Sequence, residues 1–186
     1  MHPSRSRYQS GGFTLIELIV VVAIIGMLSA VAGPALWEIQ YEIKLKNAAR
    51  ELMSTMRLAR YKAINEVRNY GVLATFPNRI QLFQGNNPAT ATVFFQDYFL
   101  PSGVFLQGPG DAMPGGTEAI DDMGFDEDAD GGWVIFGADG SAGNSGAVRL
   151  ANPNGFFKEV RVQPATTART QILTYNPDTG DYEEGG

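Results

Sequence analysis

Cysteine is absent from the 186 residues, and the sole histidine is His2, near the start. Without cysteine no disulfide can brace the fold, even in an oxidising compartment. The two scarcities also remove the thiol nucleophile, the commonest general base and the usual zinc ligands. Asp, Glu, Ser and Lys remain, yet most catalytic templates are excluded, so the composition points to a structural protein and not an enzyme. Basic residues are missing from Ile80 to Val148, where ten acids stand: Asp97, Asp111, Glu118, Asp121, Asp122, Asp126, Glu127, Asp128, Asp130 and Asp139. With a net charge of −6, the chain is no general binder of nucleic acid or of anionic membrane surfaces.

Charge is scarcest of all between Phe13 and Leu36, where Glu17 is the only ionisable side chain. At ~1.5 Å per residue this run spans roughly 36 Å as a helix, enough to cross a ~30 Å hydrocarbon core. A carboxylate inside such a segment costs on the order of 3 kcal/mol and calls for a partner. Cleavage between Gly12 and Phe13 would create one, a cationic amine four residues before Glu17. Arg5 and Arg7 precede the run and Glu38 and Glu42 follow it, which orients the N-terminus to the cytoplasm and the remainder outward.

Gly12-Phe13-Thr14-Leu15-Ile16-Glu17-Leu18 resembles the cleavage and methylation signal of type IV prepilins and type II secretion pseudoprepilins. The resemblance implies that residues 1–12 are a leader, that a prepilin peptidase cuts after Gly12, and that Phe13 becomes N-methylated. It implies that Glu17 meets the amine of a neighbouring subunit as a filament grows from an inner-membrane assembly platform. Gly26 and Pro34 stand where the family often carries Gly and Pro. Loss of the leader takes the basic count from 14 to 12 against 20 acids, a mature net charge of 12 − 20 = −8.

The spacing predicts that the helix continues beyond this apolar run. Leu45, Ala48, Ala49, Leu52, Met56, Ala59, Ala63 and Val67 recur at the three-and-four interval of one helical face. Arg50, Glu51, Arg57, Lys62 and Glu66 fall on the other faces. One helix is therefore expected from Phe13 to about Asn69, with a kink or local melting between Gly26 and Pro34, since proline removes one helical hydrogen bond. In the resembled family this region unwinds as subunits pack, so Pro34 joins Glu17 as an assembly residue.

Beyond Gly71, short β-rich segments are broken by Gly, Pro and Asn. Candidate strands are Val72 to Phe76 and Arg79 to Phe83, paired across Pro77-Asn78, then Thr92 to Phe99 and Val104 to Leu106. Trp133 to Phe136 and Ala147 to Leu150 flank Gly137–Ser141, a loop with hairpin chemistry. Asn152-Pro153-Asn154-Gly155 reads as a turn, followed by Lys158 to Gln163 and Gln171 to Tyr175. The expected architecture is α+β: a long N-terminal helix, membrane-spanning over 13–36 and amphipathic over 37–70, on a small antiparallel sheet. The head covers 71–175 with an acidic insert at 108–132, and the tail 176–186 is expected to be mobile.

Ala48–Leu52 with Leu58–Ile64 resembles the helix signature of the H-type (GspH/FimT) minor pseudopilins, and Ile135–Gly140, Gly146–Leu150 and Val160–Val162 resemble their C-terminal hairpins. Where that family often has Gly-Arg, Ala168-Arg169 stands here. The resemblance implies a minor pseudopilin in the periplasmic filament of type II secretion, or alternatively a FimT/FimU-like minor pilin of a type IV pilus, involved in initiation or DNA uptake. DNA uptake needs a basic face, and the sparseness of Arg and Lys in the head outside the helix and Arg149 to Arg169 argues against nucleic acid as a partner, although Lys158, Arg161 and Arg169 could cluster. Separately, Asp126-Glu127-Asp128-Ala129-Asp130-Gly131 has the D-x-D-x-D-G spacing of calcium loops, making Asp126, Asp128 and Asp130 candidate Ca2+ ligands. The bidentate Glu of such loops is missing, because Gly137 stands at its position, so Asp121, Asp122, Asp139 or backbone carbonyls would complete the shell.

Overall fold

The computed structural model describes residues 13–91, 93–107, 126–128 and 131–184, with the side chains of 31–38, 126–128 and 181 left out. The leader 1–12 and most of the insert 108–132 lie outside the described residues. The chain divides into two compact units, one ending at Ile39 and one running from Gln40.

Helix α1 spans Leu15–Glu66, a few residues short of each expected end, and its assignment passes unbroken through Gly26 and Pro34. The local melting expected there is absent from the isolated chain. In the first unit every large apolar side chain from Leu15 to Leu28 is at least 47% exposed. Among the described residues no helix is long and apolar enough to cross a membrane. The run predicted to span extends into residues 31–38, whose side chains are not described.

In the second unit α1 buries the predicted stripe: Leu45, Ala48, Ala49, Leu52, Met56, Ala59 and Ala63 are at most 1% exposed. Val67 does not join them. It is 75% exposed and sits at φ 51° just past the helix end, where the Arg68 N–H donates to the Ala63 carbonyl at 3.2 Å. That six-to-one bond is the Schellman closure, which puts the residue after the cap in the left-handed region and so turns it off the apolar face.

Among the described residues two five-stranded antiparallel sheets, where one was expected, share the core with this helix. The first orders as β3 (Phe94–Phe99), β2 (Arg79–Gln84), β1 (Tyr70–Thr75), β6 (Gly131–Phe136) and β5 (Asp126–Asp128). The second orders as β10 (Asp181–Glu184), β9 (Thr170–Asn176), β8 (Phe157–Val162), β7 (Gly146–Ala151) and β4 (Phe105–Gln107). Their inward residues, such as Ile80, Leu82 and Val134 in one and Leu150, Val160 and Val162 in the other, are at most 2% exposed. Gly71 lies between Phe83 and Ile135 on the flanking strands, and a Cβ there would come within 2.3 Å of the Phe83 ring.

The β1–β2 hairpin forms as expected across Pro77-Asn78, pairing Val72 with Leu82 and Thr75 with Arg79. The second expected hairpin forms only as a single antiparallel bridge, Phe136 to Ala142, and β7 does not extend it. Gly137–Ser141 closes on itself through Gly140 N–H to Gly137 O and Gly137 N–H to Ser141 O, both 2.9 Å. Strand β6 has β1 on one edge, and on the other β5 along Gly131–Trp133 and Ala142 at Phe136, while β7 pairs with β8 in the other sheet. The tail is corrected too. An Asn176 side-chain turn to the Asp178 N–H and a Gly180 at φ 75° return the chain so that β10 pairs with β9. Tyr182 then packs on Tyr175 with ring centroids 5.4 Å apart, apolar contact that the acid-rich composition conceals.

Candidate assembly site

Gly12 lies outside the described residues, and Phe13 is 83% exposed. Thr14 caps α1: its Oγ1 accepts the Glu17 N–H at 3.3 Å, and its carbonyl accepts the Leu18 N–H at 3.2 Å. Thr14-Leu15-Ile16-Glu17 is thus the Thr-x-x-Glu pattern of a capping box. Glu17 stands in the first helical turn, where the partial positive charge of the backbone amides favours a carboxylate. The Thr-x-x-Glu spacing is visible in the chain itself. Among the described residues Glu17 makes no ion pair. Pro34 is helical in backbone and its side chain is not described.

The candidate calcium ligands fare differently. Asp126 and Asp128 are in strand β5, paired with Trp133 and Gly131 of β6, and Asp130 lies outside the described residues. Asp139 is engaged locally: its Oδ1 accepts from the Ser141 hydroxyl at 2.7 Å and the Ser141 N–H at 3.0 Å, bonds that hold its carboxyl below the usual range. No group of three acids that could hold a metal occurs among the described residues.

The three basic residues considered together in the head divide. Arg161 is taken up by Glu159, which is fully buried and accepts from Arg149 at 3.0 Å and from Arg161 at 2.5 Å. Lys158 and Arg169 instead line an open groove of about 620 Å³ with Lys46, Arg50 and Arg57 of α1. Positions 46, 50, 53 and 57 form one stripe along the helix, next to its buried face. Lys158 donates to the Thr174 hydroxyl at 2.7 Å, and burial, then the Lys46 charge, lowers its pKa. Sequence reasoning placed Arg50 and Arg57 off the core but did not see that Lys158 of β8 and Arg169, just before β9, stand beside them.

Residues 7–33 match the prokaryotic N-terminal methylation motif, and residues 48–181 match the family described as type II transport protein GspH. Among solved structures, the minor pseudopilin EpsH from the type 2 secretion system of Vibrio cholerae is similar at 14% identity and TM-score 0.49, covering 70% of this chain and 97% of that one. The type IV minor pilin FimU of Pseudomonas aeruginosa is similar at 12% identity and TM-score 0.48, covering 75% and 97%. No curated protein matches the chain.

Proposed function

The chain belongs to the GspH family of type II transport proteins, and from that premise we propose that it is a minor pseudopilin of the type II secretion filament. Prepilin peptidase cuts between Gly12 and Phe13, Phe13 is methylated, and residues 13–36 hold the protein in the inner membrane with the head in the periplasm. The subunit then passes from the assembly platform into a filament of other pseudopilins. Glu17 carries this reading. It is the one charge in the apolar run of a helix whose large side chains are all exposed from Leu15 to Leu28, four residues from the amine that cleavage would create. An exposed apolar surface of that extent must be covered by lipid or by like helices. Inside either cover, a carboxylate and a neighbour's amine offset each other's burial.

Glu17→Ala tests it. The substitution makes the helix more apolar, so membrane residence persists, and intact-mass measurement still finds a chain starting at Phe13. Recovery in sheared filaments falls at least about tenfold, the ratio set by losing ~1.4 kcal/mol of a charge pair in a low-dielectric setting. Incorporation at the parental level refutes the assembly role. Cross-linking of the head in cells identifies the filament, and major pilin partners in place of secretion pseudopilins would move the protein to a type IV pilus.

A further inference from the structure

The groove between α1 and strands β8 and β9 holds five cations, Lys46, Arg50, Arg57, Lys158 and Arg169, in a chain whose net charge is −6. Like charges held this close repel unless something answers them. Among the described residues little answers them. Glu184 of β10 reaches Arg169 at 3.2 Å, an exposed pair, and Glu42 is the carboxylate that acts on Lys158. Lys46 and Arg50 make no ion pair among the described residues, and Arg57 makes only a 3.4 Å bond to the Thr170 carbonyl. Burial and the neighbouring cations lower the Lys158 pKa, as they would in a pocket short of anions.

We propose that this groove binds an acidic, extended protein segment presented by a neighbouring subunit, with several carboxylates spaced along the Lys46–Arg50–Arg57 stripe. The filament reading supplies only where such a segment comes from; the chemistry stands on the groove itself. A carboxylate is the anion the groove already accepts, on Arg169. The groove is open and about 620 Å³ in volume, room for a few side chains and not for a folded domain. A nucleic-acid duplex, with one charge per about 1.7 Å, would carry its phosphates well beyond the reach of five clustered cations. A short acidic segment ends where the cations end. Its side chains also match the spacing: alternate residues of an extended chain repeat at about 6.6 Å, close to the ~6 Å between cations one helical turn apart.

The test uses the full chain in detergent micelles and, as probe, a fluorescent peptide of this chain's own Glu118–Asp130, which carries seven acids and no base. The peptide is expected to bind with a salt-sensitive affinity, and a version with every Asp and Glu replaced by Asn and Gln is expected not to. Lys46→Gln with Arg50→Gln, both on the solvent side of the helix, weakens binding at least about tenfold, one lost charge contact being worth about that factor. Glu184→Gln removes the resident carboxylate and strengthens binding about two- to threefold, an effect that mere loss of structure would not produce. No binding, equal binding by the double variant, or tighter binding of a short DNA duplex at the same salt overturns the proposal. The assay needs no filament, so its failure leaves the Glu17 reading untouched, and failure of the Glu17 test leaves the groove's affinity in place.

Discussion

Glu159→Gln is the substitution that the head should tolerate least among its charged positions. Glu159 is fully buried on β8, directly across from Arg149 on β7, and Arg161 lies two residues on along the same face. One carboxylate oxygen takes the Arg149 Nε–H at 3.0 Å and the other takes the Arg161 Nε–H at 2.5 Å. The amide of Gln has one acceptor where the carboxylate has two, so one arginine then faces an NH₂ group. A charge-assisted bond contributes about 1.5–3 kcal/mol and a neutral one about 1. Losing one and weakening the other therefore costs about 3 kcal/mol. The arginines are partly hydrated, at 18% and 33% side-chain exposure, which trims this to about 2–3 kcal/mol. For a chain of this length that is a fall in Tm of about 4–12 °C. Arg161→Gln, at the wetter end, should cost only about 1 kcal/mol, because Glu159 keeps Arg149. Urea unfolding of the full chain in micelles, followed by far-UV circular dichroism, reads both, with the slope against urea unchanged. A Glu159→Gln loss below about 0.5 kcal/mol would mean that the buried carboxylate gains nothing from its two partners, and the reasoning would fall.

Val67→Gly should stabilise the protein by about 0.5–1 kcal/mol. It relieves a β-branched residue held at φ 51° in the left-handed region and sacrifices no packing, since Val67 is exposed; a lower urea midpoint contradicts this. We propose calcium at Asp126, Asp128 and Asp130 on their spacing alone. Millimolar calcium should then raise stability by about 1.4 kcal/mol at a tenfold excess over Kd, and Asp128→Asn should abolish the rise. Equal Tm in calcium and in chelator removes the ion from the account.

The helix was legible because its signals were local and periodic. Seven of the eight stripe residues named from spacing are buried. The eighth, Val67, failed because a backbone closure overrode its hydrophobicity, and nothing in the side-chain pattern announces a left-handed valine. Eight of the ten described strands came through within a residue or two, β5 and β10 did not, and of the strand partners only β1 with β2 did. The β1–β2 pairing was readable because a short turn, Phe76–Asn78, joins neighbours in sequence. The assignment of β6 and β7 to different sheets depends on which edges other strands occupy, and such information is not local to Gly137–Ser141. Acid-rich composition hid β10 in the same way, because what fixes it is the stacking of Tyr182 on Tyr175 across the sheet edge.

A similar limit explains the groove. Arg50 and Arg57 were visible as helix-surface charges, and Lys158 and Arg169 as isolated cations more than a hundred positions away. Only the packing of β8 and β9 against α1 turns two sparse sets into one cluster. The helix itself changes character along its length. From Leu15 to Leu28 its large side chains are apolar on every face, the pattern of a helix surrounded by apolar material. From Leu45 to Ala63 apolar residues keep to one stripe and charge takes the next, the pattern of a helix between a core and water. A single helix with two such periods is suited to two partners of opposite chemistry. Its first half is apolar but for Glu17, which makes no ion pair among the described residues; its second half displays Lys46 and Arg50, which make none among them either. Both features put interaction energy where another molecule must complete it, as expected of a subunit that works only in an assembly.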